Sequence, residues 1–224
     1  MESVIQTIEE RIKKQFMNEG TGHDWYHIDR VRKMAMHIQK REGGNPFVIE
    51  LAALLHDVSD HKFNGGDFEK GGIVAREWLT KLKVDEEIIQ AVTEIVNNIS
   101  FKGSGEKDVL ETLEGKIVQD ADRLDAIGAI GIARTFAYGG KVDQPIYDPT
   151  VPPKKNQNKE SYVSERSHTI NHFYEKLLLI ENRMNTATGK LLAKERTDYM
   201  KGFLFQFYKE WDAVEQTTIH EKKP

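Results

Sequence analysis

The sequence predicts an all-α protein, a single-domain helical bundle. Apolar residues recur at spacings of three and four almost throughout the 224 residues, whereas the alternation typical of strands is scarce. Residues that start or stop helices separate these segments, among them Asp24 and the run Gly43-Gly44-Asn45-Pro46. We find no internal repeat and no convincing domain boundary, so one domain over residues 1–224 is expected.

The first two predicted helices have clear limits. The first covers about 2–18, and Asp24 then caps a second helix that runs to about Arg41. His27 belongs to this second helix. It lies on the same apolar face as Val31, Met34, Ala35 and Ile38.

A third helix is predicted to begin at Pro46, because proline favours the first helical turn. It continues through the apolar run Leu51–Leu55 and ends at the dipeptide His56-Asp57. The same apolar spacing predicts the next helices at about 68–82, 85–99 and 111–126.

The C-terminal half is less regular. A short apolar segment with Gly128 and Gly131 leads to an irregular loop over about 139–165, which is either a flexible polar loop or a functional lid. The lysines that a lid would place over a substrate are Lys154, Lys155 and Lys159. Two long helices are then expected at about 167–187 and 190–214, and a core stripe is expected at Phe203, Phe207 and Trp211.

Composition excludes several classes of function. Charges of both signs are mixed and the net charge is −4, so no basic field attracts nucleic acid and no nucleic-acid partner is expected. Cysteine is absent, which excludes disulfide scaffolds, thiolate metal sites and thiol nucleophiles. Neither a membrane-spanning run nor a signal-peptide core is found, so a cytoplasmic protein without membrane contact is expected.

The placement of His56-Asp57 directly behind five aliphatic residues is the most informative feature. An imidazole and a carboxylate at the end of a buried helix cost free energy unless something compensates their polar atoms. A metal ion does so, because it binds neutral imidazole and ionised carboxylate together. His27 and Asp122 are further candidate ligands, although a lone histidine on an apolar face is usually a core residue. We therefore expect one metal held by His27, His56, Asp57 and Asp122.

The expected ligand set contains no soft donor, so it suits Mn²⁺, Fe²⁺, Co²⁺, Ni²⁺ or Zn²⁺ better than copper(I). Mn²⁺ is the first expectation for this single divalent ion, and Mg²⁺ also remains open. Because Asp122 comes from a separate helix, the ion would join helices as well as act in chemistry. Loss of a ligand should then weaken both activity and stability.

Several strings of the chain resemble the HD-domain metal-dependent phosphohydrolases, which share an ordered set His…His-Asp…Asp on separate helices. The matching strings are Gly22-His-Asp-Trp-Tyr-His-Ile-Asp-Arg-Val31, His56-Asp-Val-Ser-Asp60 and Asp122. Wider strings resemble the YpgQ/YedJ-like bacterial branch of this superfamily. They are Asn98-Ile-Ser-Phe-Lys-Gly103, Gln119-Asp-Ala-Asp-Arg-Leu-Asp125 and His172-Phe-Tyr-Glu-Lys-Leu177.

The resemblance implies a hydrolase that acts on a small-molecule nucleotide. Within the branch it implies that a metal-activated water cleaves nucleoside triphosphates, including deoxy forms, to monophosphate and pyrophosphate. A 5′-nucleotidase or other phosphomonoesterase, a (p)ppGpp hydrolase and a non-catalytic nucleotide- or metal-sensing module remain alternatives. A homodimer that pairs through the C-terminal helices is also left open.

Supporting roles are expected for residues near these ligands. Asp60, four residues after His56, could orient the imidazole or move a proton. Asp125, one turn after Asp122, could position the attacking water or hold a ligand, and His23 could face the phosphates. For each of them, a solvated or structural side chain is the alternative. The candidate phosphate contacts, with the same alternative, are Lys62, Lys102 and Arg123.

Overall fold

A computed structural model of the chain describes residues 1–17, 24–58, 70–99, 109–154 and 167–214. Within these ranges the regular structure is helical and includes no strand, which confirms the all-α prediction. The elements in chain order are α1 (Glu2–Phe16), α2 (Trp25–Glu42), α3 (Pro46–Leu55), α4 (Lys70–Lys81), α5 (Glu86–Asn98), α6 (Leu113–Asp125), α7 (Gly128–Lys141), α8 (Thr169–Glu175), a 3₁₀ helix (Leu177–Arg183) and α9 (Ala187–Trp211). Among the described helices, none combines the length and the apolar character that crossing a bilayer requires.

Side-chain caps fix where several helices begin. The Asp24 carboxylate accepts a hydrogen bond from the backbone N–H of His27, as the sequence predicts for the start of α2. Asn45 caps α3 in the same way, with Pro46 in its first turn. Thr112 and Thr186 cap α6 and α9. The caps of α2, α3 and α6 thus fix where the helices that position the candidate ligands begin.

Helix α3 lies in the centre of the packing, against α1, α2, α5 and α6. This position explains the apolar run Leu51–Leu55, because every one of these side chains is fully buried. Helix α2 packs against both α3 and α6. The end of α3 therefore lies between α2 and α6. The residues that follow α3 consequently lie at the junction of these helices.

Helix α7 is longer than the short apolar segment expected from the sequence. Its glycines explain the difference, because glycine lowers helix propensity and yet permits close packing. Gly128 has φ +78° at the turn from α6, and a Cβ on Gly131 would lie 2.3 Å from the Ala126 carbonyl oxygen. A Cβ on Gly139 would lie 2.5 Å from Thr169 Oγ1. Gly128 and Gly131 thus let α7 start close to the end of α6, and Gly139 lets it approach the start of α8.

The prediction of one long helix over 167–187 was wrong. The chain there forms the short helix α8 and the 3₁₀ helix, and it turns extended before α9 begins at Ala187. The first break comes at Lys176, whose φ of −141° ends α8. The later break has its cause in the buried carboxylate of Asp120, which accepts hydrogen bonds from the backbone N–H groups of Asn185 and Thr186. Because these two amides donate to Asp120, they cannot donate to the backbone carbonyl groups of a continuous helix.

The expected irregular loop over 139–165 begins later than predicted, because α7 continues to Lys141. Residues 142–154 lie against the start of α8, where Thr169 and Ile170 donate backbone hydrogen bonds to Pro145 and Ile146. The carboxylate of Glu175 accepts hydrogen bonds from the Lys154 N–H and from the Ser167 hydroxyl. Residues 155–166, including Lys155 and Lys159, lie outside the described residues.

The aromatic stripe of α9 forms part of the core only near its middle. Phe203 and Phe207 are partly buried, and Phe203 contacts the rings of Phe136 and Phe173. Trp211 remains 49% exposed although its ring packs on Tyr147. The stripe is therefore a packing surface, as expected, whose last residue borders the solvent.

Candidate metal centre

Four side chains from three parts of the fold converge at the junction of α2, α3 and α6. The donor atoms of His27, His56 and Asp57 lie within 4.8 Å of one another. The Nε2 atoms of the two histidines are 3.2 Å apart, and Asp57 Oδ2 lies 3.5 Å and 3.4 Å from them. Asp122 Oδ1 lies 3.5 Å from His27 Nε2 and 3.9 Å from His56 Nε2. The structure thus groups three of the four predicted ligands, His27, His56 and Asp57, and places Asp122 beside the two histidines at the edge of this group.

These separations match those of atoms that share one metal ion. Ligand atoms about 2.1 Å from a common ion stand about 3.0–3.4 Å apart at octahedral or tetrahedral angles. Most of the observed distances lie at or just above this range, and each belongs to a nitrogen or a carboxylate oxygen. The donor set therefore fits a divalent cation of the first transition row.

Local structure explains how each ligand reaches the junction. His27 stands in the first turn of α2, whose start Asp24 fixes. His56 and Asp57 follow the last turn of α3, and Asp122 lies in the last turn of α6. The histidines and Asp57 are buried, whereas the side chain of Asp122 is 31% exposed. The cluster is consequently closed on the α2–α3 side and open to solvent beside Asp122.

The hydrogen bonds of both histidines direct a lone pair into the cluster. His56 Nδ1 lies 2.8 Å from the Ala53 carbonyl oxygen, which can only accept, so Nδ1 donates. His27 Nδ1 lies 2.7 Å from Asp125 Oδ2 and donates to that carboxylate. In the neutral imidazoles both Nε2 atoms are then unprotonated, and they face each other at 3.2 Å. Two lone pairs at this distance repel each other, so the contact requires either a proton on one Nε2 atom or a metal cation bound by both.

The surrounding charges attract such a cation. Burial lowers the pKa of His27, but the hydrogen bond to Asp125 and the charges of Asp57 and Asp122 outweigh it and raise this pKa to about 9. Burial also raises the pKa of Asp125, but the hydrogen bonds from His27 and Arg30 and the charge of Arg134 outweigh that effect. The pKa of Asp125 is lowered as a result, and its carboxylate stays ionised.

Asp125 lies behind His27, and its carboxylate meets two arginines. Oδ1 accepts a hydrogen bond of 2.6 Å from Arg30 Nε, and Oδ2 accepts bonds of 3.0 Å and 2.6 Å from Arg30 Nη2 and Arg134 Nη1. Of the two roles expected for Asp125, this placement favours holding a ligand over positioning water. Sequence reasoning missed both arginines, although Arg30 stands in the matched string one turn after His27.

The other supporting residues are not brought to the cluster by the described structure. Arg123 is buried, and its Nη1 donates to the Arg183 carbonyl oxygen at 2.5 Å, on the side of α6 that holds the chain before α9. This contact matches the structural alternative, and it gives no support to phosphate binding by Arg123. The remaining candidates lie outside the described residues. They are His23, Asp60, Lys62 and Lys102.

Comparison with known proteins agrees with this geometry. The sequence profile of the HD domain family matches residues 24–127, which include all four candidate ligands. The protein YpgQ of Bacillus subtilis is 35% identical over 204 residues, which cover 90% of each chain. An HD-superfamily hydrolase from Bacillus thuringiensis superposes with a TM-score of 0.73 at 45% identity, over 95% of this chain and 98% of that one.

YpgQ has also been crystallised in complex with ADP. That structure superposes with a TM-score of 0.73 at 31% identity, over 94% of this chain and all of the YpgQ chain. The similarity in sequence and in fold extends well beyond the metal-binding strings, and it includes the C-terminal helices. With the His…His-Asp…Asp set in place, the chain belongs to the HD domain family, the metal-dependent phosphohydrolases, together with YpgQ.

Proposed function

We propose that this protein is a metal-dependent nucleotide pyrophosphohydrolase. It cleaves nucleoside triphosphates, including deoxynucleoside triphosphates, between the α- and β-phosphates and releases a monophosphate and pyrophosphate. The observation that carries the proposal is the convergence of two histidine Nε2 atoms and two carboxylate oxygens at 3.2–3.9 Å. The ADP complex of YpgQ supports a nucleotide as the ligand.

His27, His56, Asp57 and Asp122 are the residues that hold the ion. A divalent ion supplies a lowered pKa for the attacking water and neutralises charge that develops on the phosphoryl oxygens. The buried histidines and Asp57 close one side of the centre, so the phosphates approach from the exposed side of Asp122. The Asp125 carboxylate takes no proton from water, since His27, Arg30 and Arg134 already donate to it.

The charge balance of the centre favours an anionic substrate even though the chain carries a net charge of −4. The Asp125 carboxylate pairs with the guanidinium groups of Arg30 and Arg134, whereas Asp57 and Asp122 approach His27. Among these charged groups the three carboxylates exceed the two guanidinium groups by one negative charge, and a bound divalent ion would change this sum to one positive charge. Metal loading therefore favours the approach of a polyphosphate.

The test is a panel of ribo- and deoxyribonucleotides with Mn²⁺, Co²⁺, Ni²⁺, Zn²⁺ or Mg²⁺, with products identified by mass spectrometry. Triphosphates are expected to yield the monophosphate and pyrophosphate, and EDTA should stop the reaction. Asp57→Ala should be inactive because it removes a metal ligand. Asp198→Asn, which changes an exposed carboxylate paired with Lys194 on α9, should match the wild type.

The products separate this function from its alternatives. Inorganic phosphate in place of pyrophosphate would identify a phosphomonoesterase, and turnover of (p)ppGpp alone would identify an alarmone hydrolase. Tight nucleotide binding without any product would identify a sensing module. Each of these results would contradict the proposed reaction while leaving the metal centre in place.

A further inference from the structure

The carboxylate of Asp125 is held more firmly than its contact with His27 requires. Arg30 grips both oxygens, with Nε 2.6 Å from Oδ1 and Nη2 3.0 Å from Oδ2. Arg134 Nη1 adds a third hydrogen bond to Oδ2, at 2.6 Å, beside the one from His27 Nδ1. The Asp125 side chain is 6% exposed. A bidentate and charge-assisted arrangement of this kind fixes the plane of the carboxylate.

Arg134 comes from α7, outside the part of the chain that the HD domain profile matches. Its guanidinium reaches three groups of the centre at once. Besides donating to Asp125 Oδ2, Nη1 donates to the Asp125 carbonyl oxygen at 3.2 Å, and it lies 3.3 Å from His27 Nδ1 without a hydrogen bond, because both nitrogens carry protons. The guanidinium thus bears on the ligand His27 and on the end of α6, the helix that also carries Asp122.

A guanidinium beside this hydrogen bond has a geometric effect. It prevents the carboxylate from rotating, so Oδ2 stays aligned with His27 Nδ1 and the imidazole plane stays directed at the other candidate ligands. A ring already held in this orientation increases the affinity of the centre for a metal ion before any nucleotide binds.

We propose that Arg134 is a positioning residue of the metal centre, which acts through Asp125 on His27 and raises metal affinity. The inference rests on the metal centre of the proposed function and does not depend on the substrate. Arg134 is thereby distinguished from a residue that merely joins α7 to α6. It is also distinguished from a residue that contacts the phosphates of the substrate.

The test measures Mn²⁺ binding by isothermal titration calorimetry to full-length protein freed of metal, with no nucleotide present. Arg134→Gln should weaken Mn²⁺ binding by about 10- to 100-fold, the usual effect of losing an outer partner of a ligand. Arg134→Lys keeps the charge but not the planar geometry, so it should recover part of the affinity. If Arg134→Lys folds and recovers part of the Mn²⁺ affinity, the weaker binding of Arg134→Gln does not come from misfolding alone.

Arg32 provides a matched control on α2. Its guanidinium is 21% exposed and pairs with Glu9 at 2.8 Å and Glu50 at 2.7 Å, away from the centre. Arg134 is comparably placed, with 25% exposure and a carboxylate partner. Arg32→Gln should lower the melting temperature without changing Mn²⁺ affinity.

A double-mutant cycle with Asp125→Asn tests whether Arg134 acts through Asp125. Each single variant should weaken Mn²⁺ binding, and the double variant should be little weaker than Asp125→Asn alone. Independent, additive losses would overturn the proposed route. So would equal losses of Mn²⁺ affinity in Arg134→Gln and Arg32→Gln, because they would indicate general destabilisation.

Kinetics provide a second readout at saturating Mn²⁺. The positioning role predicts that Arg134→Gln regains most of its kcat with unchanged KM when metal is in excess. An unchanged Mn²⁺ affinity with a raised KM would overturn the inference and make Arg134 a substrate contact. If the wild type binds Mn²⁺ but hydrolyses no triphosphate, the proposed function fails, whereas the calorimetric comparison still decides the role of Arg134.

Discussion

Asp120 and Asp122 of α6 lie two residues apart and have different surroundings. Asp120 is fully buried and accepts hydrogen bonds from the backbone and side chains of Asn185 and Thr186. Asp122 is partly exposed and directs Oδ1 toward His27 and His56. One carboxylate therefore holds the chain that precedes α9, and the other faces the metal centre.

The pair gives a prediction that separates stability from metal binding. Asp120→Asn should lower the free energy of unfolding by about 2–3 kcal/mol, since hydrogen bonds to a buried charge are lost or weakened. For a chain of this length the melting temperature falls by about 5–10 °C. Asp122→Asn should leave the melting temperature in EDTA nearly unchanged and should abolish high-affinity Mn²⁺ binding. Thermal melts and calorimetry of both variants check this.

The two variants serve as controls for each other, because the substitution is the same on one helix. An Asp120→Asn protein with weakened Mn²⁺ binding at a temperature where it remains folded would contradict the division of roles. Normal Mn²⁺ affinity in Asp122→Asn would remove Asp122 from the ligand set.

The role of an individual residue can be predicted from the sequence where a local pattern determines it. His56-Asp57 stands out because an apolar run ends there, and the structure places both side chains in the cluster. The role of Asp120 depends on partners 65 and 66 residues away, and that of Arg134 on the way α7 packs after α6. The spacing of residues within one helix cannot predict either role, because each role depends on partners elsewhere in the chain.

Among the elements, α7 shows most directly how backbone packing positions the centre. It starts three residues after α6 ends, and Gly131 has no room for a side chain beside the Ala126 carbonyl. Arg134 stands one turn beyond Gly131. The close approach of the two helices therefore determines where the Arg134 guanidinium meets Asp125.

Gly131→Ala should consequently act on metal binding from a distance. Its Cβ would lie 2.3 Å from the Ala126 carbonyl oxygen, so the first turn of α7 must shift. We expect a loss of about 1–3 kcal/mol in stability, typical of overpacking, and weaker Mn²⁺ binding because Arg134 moves away from Asp125. Thermal melts and Mn²⁺ titration measure the two effects.

Gly140→Ala on the same helix is the matched control. No heavy atom lies within 4 Å of its added Cβ, so the variant should keep its Mn²⁺ affinity and its stability, or gain about 0.5–1 kcal/mol from helix propensity. If the two alanine variants have the same Mn²⁺ affinity and the same stability, the close approach of α7 to α6 does not determine metal binding.

Predictability also differs among the elements. The first three helices and their caps follow from apolar spacing and polar end residues, and the structure gives nearly the same limits. The region 167–187 has helical spacing too, yet Asp120 draws the backbone of Asn185 and Thr186 out of the helix. In α7 the glycines that permit close packing also weaken the local helical signal.

For the whole molecule, the metal centre is a link between distant parts of the chain. Its candidate ligands come from α2, from the residues that follow α3 and from α6, and each of these three helices packs on the other two. An ion that binds the folded state and not the unfolded chain stabilises the fold according to its affinity. Metal removal should then loosen the packing as well as stop catalysis.

This link predicts a metal-dependent melting temperature. At a free Mn²⁺ concentration 100 times the Kd, the expected stabilisation is about 2.7 kcal/mol, or about 5–10 °C in Tm. Differential scanning calorimetry in EDTA and across a Mn²⁺ series measures it. Asp57→Ala should melt at one temperature in both conditions, and a wild-type Tm that does not respond to Mn²⁺ would refute the structural role of the ion.

The fixed ends of the segment between Lys154 and Ser167 have an evolutionary consequence. Because Glu175 accepts hydrogen bonds from both residues, one carboxylate of α8 holds two points of the chain that are thirteen positions apart. A change in the number of residues between these two points costs little closure entropy, since that cost grows only with the logarithm of the length. We therefore expect relatives to differ in length between these two points while the spacing of the candidate metal ligands is kept.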